Sequence, residues 1–198
     1  MFRIGLAGGM GSGKSEVLAR LSELGALVID ADAVARDVVA EGTEVLAAIV
    51  DAFGESVLAD DGGLDRGALA AAAFSSEERL RTLNAITHPA LIREIVRRSE
   101  ELERRSPSGV LVVDAALLVQ WDVLDMFDAV LVVHAPIDLR VRRLVDAGFV
   151  EEDVRRRMRS QLPDDVMLAA ADVVVENEGS IEELRAAVDD FWESLPGN

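Results

Sequence analysis

The stretch that decides the fold is Gly8-Gly9-Met10-Gly11-Ser12-Gly13-Lys14-Ser15, which fills the pattern G-x-x-x-x-G-K-[ST]. An apolar run at residues 2–6 precedes it and is typical of a buried strand, and Val17, Leu18 and Leu21 follow it at helical spacing. A glycine-rich loop between a strand and a helix turns successive backbone N–H groups inward, at a helix end that favours anions. The sequence therefore predicts a phosphate-binding loop.

Lys14 and Ser15 carry the chemistry of this loop. The motif predicts that the Lys14 ammonium binds the β- and γ-phosphates of a nucleotide and that the Ser15 hydroxyl binds Mg²⁺. An ordinary glycine-rich turn has no use for these two side chains at these offsets. Lys14 is also the only lysine among twenty basic residues, as expected where a compact ammonium on a flexible stem is needed. We therefore predict ATP and Mg²⁺ as ligands.

Length and composition limit the class of protein. The chain has 198 residues, 50% of them hydrophobic, which suits one α/β domain with subdomains. Cysteine is absent and there are only two histidines, so neither disulfides nor a cysteine-containing zinc site is expected. A net charge of −17 argues against a broad nucleic-acid-binding surface. No apolar run reaches membrane-spanning length, and we expect a cytoplasmic protein, monomeric or a small homo-oligomer, without a membrane partner.

Four further apolar runs are typical of buried strands, and helical patterns separate them. They are residues 26–30, 110–114, 127–133 and 171–177. Continuous apolar strands that alternate with helices predict a parallel sheet covered on both faces. Ligands bind at the carboxyl edge of such sheets, so the polar residues that end these strands are candidates for the site.

Carboxylates end two of these strands. Asp30 and Asp32 either face the bound phosphates, or one of them only caps the helix predicted over residues 33–40. Asp114 ends the third strand as a Walker B aspartate does, which makes it a candidate ligand for Mg²⁺. After the last strand, Asn177 either shapes a turn or reads the edge of an adenine ring.

Residues 43–105 are almost entirely helical in pattern and predict a long insertion. Such an insertion commonly binds the second substrate of small kinases, although core packing alone also explains its apolar positions. The pair His88-Pro89 is predicted to break the run, with Pro89 in the first turn of a new helix. His88 is then either an anion contact or an ordinary surface histidine, and the second interpretation is favoured.

Two arginine-rich helices are predicted over residues 137–146 and 151–161, with Gly148 between them. They carry Arg140, Arg142, Arg143, Arg155, Arg156, Arg157 and Arg159. This pattern is typical of a lid that closes over ATP, excludes water and places guanidinium groups against phosphate. We expect most of the seven to lie on a solvated face, paired with acids, and one to three to bind phosphate.

Taken in order, these motifs resemble the dephospho-coenzyme A kinase family over essentially the whole chain. The matching segments are residues 4–15, 29–32 with Arg36, 84–89, Asp114 with Leu117 and Leu118, Arg143, Arg157 with Gln161, and 171–180. The resemblance implies an α/β, three-layer P-loop kinase fold with a parallel sheet, a helical substrate-binding insertion and a small helical lid. It implies one kinase domain, residues 1–198, with its core at 1–40, 106–136 and 162–198, the insertion at about 41–105 and the lid at about 137–161.

The same resemblance implies ATP-dependent phosphorylation of the ribose 3′-hydroxyl of dephospho-CoA, the last step of coenzyme A synthesis. The catalytic residues it implies are Asp32 as the base, Lys14 and Arg143. The ATP-binding residues are Gly9, Met10, Gly11, Ser12, Gly13, Lys14, Ser15, Glu16, Arg143, Arg157 and Asn177. The substrate-binding residues are Asp32, Arg36, His88 and Leu117, and the metal ligands are Ser15 and Asp114.

Three features depart from the usual pattern of that family. Glu16 replaces a threonine, Ala116 and Gln120 replace a proline and a glutamate, and Ala147-Gly148 replaces a second lid arginine. Two other functions therefore stay open. One is a P-loop kinase with a different small-molecule acceptor, and the other is a non-catalytic, nucleotide-binding regulatory protein.

Overall fold

The computed structural model describes residues 1–115, 119 and 123–196. The strands in this part of the chain are β1 (Phe2–Gly8), β2 (Leu27–Asp30), β3 (Val110–Asp114), β4 (Ala129–His134) and β5 (Val173–Glu176). The α-helices are α1 (Lys14–Glu23), α2 (Ala31–Val38), α3 (Glu44–Phe53), α4 (Arg66–Ala73), α5 (Glu77–Arg105), α6 (Ile137–Asp146), α7 (Glu151–Arg159), α8 (Asp164–Ala169) and α9 (Ile181–Glu193). The chain divides into two compact units, Met1–Ile29 with Leu102–Asn198, and Asp30–Glu101.

A five-stranded sheet organises the first unit. Its strand order is β2-β3-β1-β4-β5, and β1 is parallel to both of its neighbours, as β4 is to β5. The predicted α/β class with a parallel sheet is therefore confirmed. The register pairs Leu6 with Asp114 and Gly8 with Val133. The phosphate-binding loop and the ends of β3 and β4 consequently lie at one edge of the sheet, the edge where parallel α/β sheets bind ligands.

The burial of β1 shows that both faces of the sheet are covered. Side chains alternate between faces along a strand, yet every residue from Ile4 to Gly8 is buried. Helices α1 and α9 pack against the strands through Leu21 and Val188, neither of which is exposed. This packing anchors the helix that follows the phosphate-binding loop.

The second unit has a helical core of its own. Helices α3, α4 and the 3₁₀ turn Glu55–Val57 enclose an apolar cluster. Its buried members are Val39, Ile49, Phe53, Val57, Leu69 and Ala73. The helices predicted from the apolar periodicity of residues 43–105 are therefore observed, packed around this cluster.

Pro89 does not break the insertion, which corrects the sequence prediction. Helix α5 runs without interruption over 29 residues, with Pro89 inside it. Proline in a helix interior costs about 3 kcal/mol, because it removes one hydrogen bond and clashes with the preceding turn. Leu91 and Ile95 after Pro89 are both buried, and burial of each such side chain contributes about 1.5–3 kcal/mol. Burial on the far side of Pro89 thus offsets the cost of continuing the helix.

Several element boundaries differ from the predicted ones by one or two residues. Helix α2 begins at residue 31 rather than 33, because Asp30 caps it and brings Ala31 and Asp32 into the first turn. Strand β4 begins at Ala129 rather than 127, after a 3₁₀ turn at Leu124–Met126. Helices α6 and α7 confirm the two arginine-rich helices, although α7 ends at Arg159. Gly148 between them has φ of 94°, which is suited to glycine.

Candidate active site

The phosphate-binding loop, residues 8–15, has the geometry of an anion site. Gly11 and Gly13 have φ of 79° and 96°, which side chains other than glycine's rarely allow. Helix α1 begins at Lys14 without a side-chain cap, so its first N–H groups are available at the helix end. Seven residues of the loop line a cavity of about 510 Å³ together with Leu144 and Gln161. The strand, loop and helix predicted from the motif are confirmed.

Lys14 and Asp114 lie in direct contact. Lys14 Nζ donates a hydrogen bond to Asp114 Oδ1, and the two side chains are 20% and 16% exposed. The sequence assigns one residue to phosphate and the other to metal, and the two are 100 positions apart. Their contact follows from the sheet, because β3 ends beside β1, from which the loop emerges. Two side chains that the sequence predicts to act at one phosphate group are thus in contact.

Asn177 connects the phosphate-binding loop with α6, one of the two helices of the predicted lid. Its Nδ2 donates to the Ser12 carbonyl at 2.8 Å, and its Oδ1 accepts from Arg143 Nη2 at 3.1 Å. A Cβ at Gly13 would lie 2.2 Å from Asn177 Nδ2, so this close approach also requires glycine there. The Asn177 side chain is 6% exposed. Both ends of the amide bind protein groups, which argues against recognition of adenine. These bonds hold the phosphate-binding loop and Arg143 rather than the turn after β5 that the sequence suggested.

Arg143 is the lid arginine that Asn177 holds. Its Nη1 is buried and has no hydrogen-bond partner within the described residues. Buried donors in proteins are almost always satisfied. A guanidinium that is fixed at one nitrogen and unsatisfied at another is therefore a candidate to bind a ligand oxygen.

The other lid arginines divide into two groups. Three have acidic partners: Arg140 with Asp164, Arg155 with Glu151 and Asp138, and Arg156 with Asp153. Arg142, Arg157 and Arg159 are exposed and form no ion pair among the described residues. The expectation that most of the seven pair with acids is therefore wrong. Arg157 stays available for phosphate.

Two residues of the loop's surroundings were not assigned a role from the sequence. Gln161 Oε1 accepts a hydrogen bond from the Met10 N–H at 3.0 Å. Arg140 is buried and lies against Gly9. The sequence signal for Gln161 was that it is one of the residues that match the family. Arg140 has no such signal, because helical periodicity alone does not tell which of three neighbouring arginines turns inward.

Glu16 is engaged by the C-terminal helix. Its Oε1 accepts from Arg185 Nε of α9 at 2.6 Å. Arg185 also bonds Glu23, and these carboxylates, Glu16 first, raise the pKa of the Arg185 guanidinium. Glu16 lies in the first turn of α1, where negative charge interacts favourably with the helix dipole. The departure from the family pattern at this position is therefore neutralised within the protein.

Asp30 and Asp32, in the second unit, have different roles. Asp30 Oδ1 accepts from the N–H groups of Asp32 and Ala33 at 2.8 and 3.0 Å, so Asp30 is the cap of α2. Arg36 Nη2 lies 3.6 Å from the other carboxylate oxygen of Asp30. The carboxylate of Asp32 is exposed and forms no hydrogen bond or ion pair in the described part of the chain. Asp30 is therefore the helix cap, and the Asp32 carboxylate takes no part in capping.

His88 is half-buried in α5, and burial lowers its pKa. Burial therefore favours the neutral ring over the cation, which suits a hydrogen-bonding role. Leu117, the remaining predicted substrate contact, lies outside the described residues, as do Ala116 and Gln120.

Ser15 and Asp114 fit a magnesium ion that is shared with a substrate. Mg²⁺ is usually held by one or two protein oxygens plus substrate phosphates and waters. The Ser15 side chain is exposed beside the cavity, and Asp114 offers a carboxylate at the same sheet edge. Residues 1–115, 119 and 123–196 contain no group of three or more His, Cys, Asp or Glu able to hold a metal. Nor do they contain a helix with the length and apolarity to cross a bilayer.

Known proteins resemble this chain over nearly its whole length. The family model for dephospho-CoA kinase matches residues 2–183. A dephospho-CoA kinase of Corynebacterium glutamicum is 52% identical over 187 residues, 94% of this chain and 93% of that protein. One from Thermobifida fusca is 45% identical over 197 residues, 98% of this chain and 96% of that protein.

Two solved structures are similar in fold. A crystal structure of a Thermus thermophilus protein is 35% identical, with a TM-score of 0.80, and covers 99% of this chain and 98% of that one. A dephospho-CoA kinase from Campylobacter jejuni has a TM-score of 0.74 over 96% of this chain and 95% of that one. At 22% identity, the second likeness bears on the fold alone.

Proposed function

The chain belongs to the dephospho-CoA kinase family, and we propose that it phosphorylates the ribose 3′-hydroxyl of dephospho-CoA with ATP in the last step of coenzyme A synthesis. The observation that carries this proposal is the phosphate-binding loop, with Lys14 against Asp114 beside a cavity of about 510 Å³. We place this reaction in the cytoplasm.

The reaction makes one phosphorus–oxygen bond and breaks another. The 3′-oxygen of the acceptor bonds to the γ-phosphorus of ATP, while the bond to the β–γ bridging oxygen breaks and its electron pair leaves with ADP. The proton of the hydroxyl goes to a base. Phosphoryl transfer needs little covalent help from the protein, so catalysis depends on alignment and on neutralising charge.

For the donor, we assign the triphosphate to the N–H groups of the loop and the ammonium of Lys14. Arg143 has a buried Nη1 without a hydrogen-bond partner in the described part of the chain, and we propose that it donates to a phosphate oxygen. Arg157 is exposed on α7 and is a second candidate. Ser15 and Asp114 would hold Mg²⁺, which supplies charge neutralisation at the phosphates when bound.

For the acceptor, we propose Asp32 as the base that takes the hydroxyl proton. The support is that Asp30 caps α2, while the Asp32 carboxylate is exposed and unpaired among the described residues. A carboxylate without an ion-pair partner can accept a proton more readily than one held by a cation. Arg36, His88 and Leu117 are proposed to bind the acceptor, as the family resemblance implies.

The proposed function is tested by mixing the purified chain with ATP, Mg²⁺ and dephospho-CoA and measuring CoA by mass spectrometry. We expect CoA and ADP to form in equal amounts. 3′-Deoxy-dephospho-CoA, which lacks the acceptor oxygen, is the matched control and should give neither product. Absence of CoA over a range of pH and Mg²⁺ concentration would overturn the proposal.

A further inference from the structure

Arg140 of α6 is a buried charge with few partners. Its side chain is about 5% exposed, and Nη2 donates to Asp164 Oδ2 at 2.5 Å. Its Nε is buried and has no hydrogen-bond partner within the described residues. Burying a guanidinium is costly even when it is paired. A charge that the chain keeps in such a position needs an explanation beyond the ion pair with Asp164.

The guanidinium of Arg140 lies against the phosphate-binding loop. A Cβ at Gly9 would lie 2.0 Å from Arg140 Nη1 and 3.2 Å from Cζ. A Cβ at Gly11 would lie 3.0 Å from the Arg140 carbonyl oxygen. Arg140 therefore lies against the loop on either side of Met10, with its guanidinium near Gly9 and its carbonyl near Gly11.

The glycines of the loop are required for different reasons. Gly11 and Gly13 have positive φ, which by itself disfavours other residues. Gly9 is not among the glycines with positive φ, so its backbone is open to alanine. The Cβ of an alanine at position 9 would instead clash with the Arg140 guanidinium. Moving that group away would break its ion pair with Asp164, and a buried guanidinium that loses its partner is strongly destabilising.

We propose that Arg140 is a positioning residue for ATP, and that Arg140 rather than the loop backbone requires glycine at position 9. Asp164 neutralises the guanidinium, so the pair acts on the loop through shape and not through net charge. It holds the loop on either side of Met10 in the conformation that binds the triphosphate. This inference rests on the proposed function, in which the loop binds ATP.

A double-mutant cycle tests this role. ATP affinity is measured by isothermal titration calorimetry for the parent chain, Gly9→Ala, Arg140→Ala and the double variant. Contacting residues couple by roughly 0.5–3 kcal/mol, so we expect Gly9→Ala to weaken ATP binding about thirtyfold in the parent and less than about threefold when Arg140 is already alanine. Gly11→Ala is the matched control. The loss of affinity in Gly11→Ala should be equal in both backgrounds, because its causes are positive φ and crowding by the Arg140 carbonyl and Cβ, which alanine at position 140 retains.

Steady-state kinetics separates positioning from a merely structural role. Arg140→Ala should raise the KM for ATP about tenfold, about 1.4 kcal/mol, with the KM for dephospho-CoA unchanged. Arg140→Gln provides the same measurement if the alanine variant does not fold. Equal losses from Gly9→Ala in both backgrounds, or a lowered unfolding temperature with an unchanged KM for ATP, would overturn the inference while the parent still makes CoA. A parent chain that binds no ATP would instead contradict the proposed function.

Discussion

Asn177 Nδ2 donates to the Ser12 carbonyl at 2.8 Å, across 165 positions of sequence. The same amide accepts from Arg143 Nη2 at 3.1 Å. One buried side chain therefore sets the distance between the phosphate-binding loop and a lid arginine. In the proposed reaction, these two parts bind the same triphosphate.

Replacing Asn177 should weaken ATP use. Asn177→Asp retains an acceptor for Arg143. It replaces the amide nitrogen that donates to the Ser12 carbonyl with a carboxylate oxygen, which cannot donate. A buried group left without its partner costs about 1–3 kcal/mol, so we expect kcat/KM for ATP to fall about tenfold to a hundredfold. Asn177→Ala, which loses both hydrogen bonds, should be at least as impaired. Unchanged kcat/KM for ATP in both variants would show that this link does not organise the site.

Lys14→Ala should remove most turnover. Loss of a group that stabilises developing charge typically costs about a hundred- to a thousandfold in kcat. Lys14→Arg is the informative control. It keeps the positive charge, but we expect it not to restore turnover, because a planar guanidinium does not replace a compact ammonium in this position. The kcat of each variant is measured from CoA formation under saturating ATP. A near-normal kcat in Lys14→Ala would exclude Lys14 from the mechanism.

Asp32→Asn should separate the base from the helix cap. Loss of a general base lowers kcat by about a hundred- to ten-thousandfold. Asp30→Asn is the matched control, since asparagine caps helices about as well as aspartate, and we expect it to keep turnover within about threefold of the parent. A change below about threefold in Asp32→Asn itself would contradict the assignment of Asp32 as the base.

Acid stability should depend on Glu94 in α5. Hydrogen bonds from Arg97 and then Arg98 lower the pKa of Glu94 from 4.5 to about 2. A carboxylate with a lowered pKa stabilises the fold above its ordinary pKa, and that contribution disappears as pH falls toward the lowered value. The stability advantage of the parent over Glu94→Gln should therefore shrink between pH 4.5 and about 2. Urea unfolding at several pH values measures this difference in unfolding free energy between the parent and Glu94→Gln.

Glu100→Gln, on the same helix, is the control for that experiment. Glu100 is exposed and forms no ion pair within the described residues. Its substitution should change the unfolding free energy little at any of these pH values. A constant difference between the parent and Glu94→Gln from pH 6 to pH 2 would contradict the pairing of Glu94 with the two arginines.

Much of the fold follows from the sequence because its signals are local. The bounds of β3 match the prediction, since an uninterrupted apolar run bounded by a loop and an aspartate reflects burial on both faces. The loop motif fixes where β1 ends and α1 begins. Pro89 is the exception, because a local rule predicts a break, whereas burial of Leu91 and Ile95 in a folded unit decides otherwise.

By itself, the sequence determined the phosphate-binding loop, the order of strands and helices, and the family, because spacing and apolar periodicity encode them. Only the tertiary structure decided which side chains meet. It assigned Glu16 to Arg185, Asp114 to Lys14 and Asn177 to Ser12. It also buried Arg140 while leaving Arg142 exposed. Such pairings join residues a hundred or more positions apart, and only packing of the sheet and helices brings them within hydrogen-bond distance.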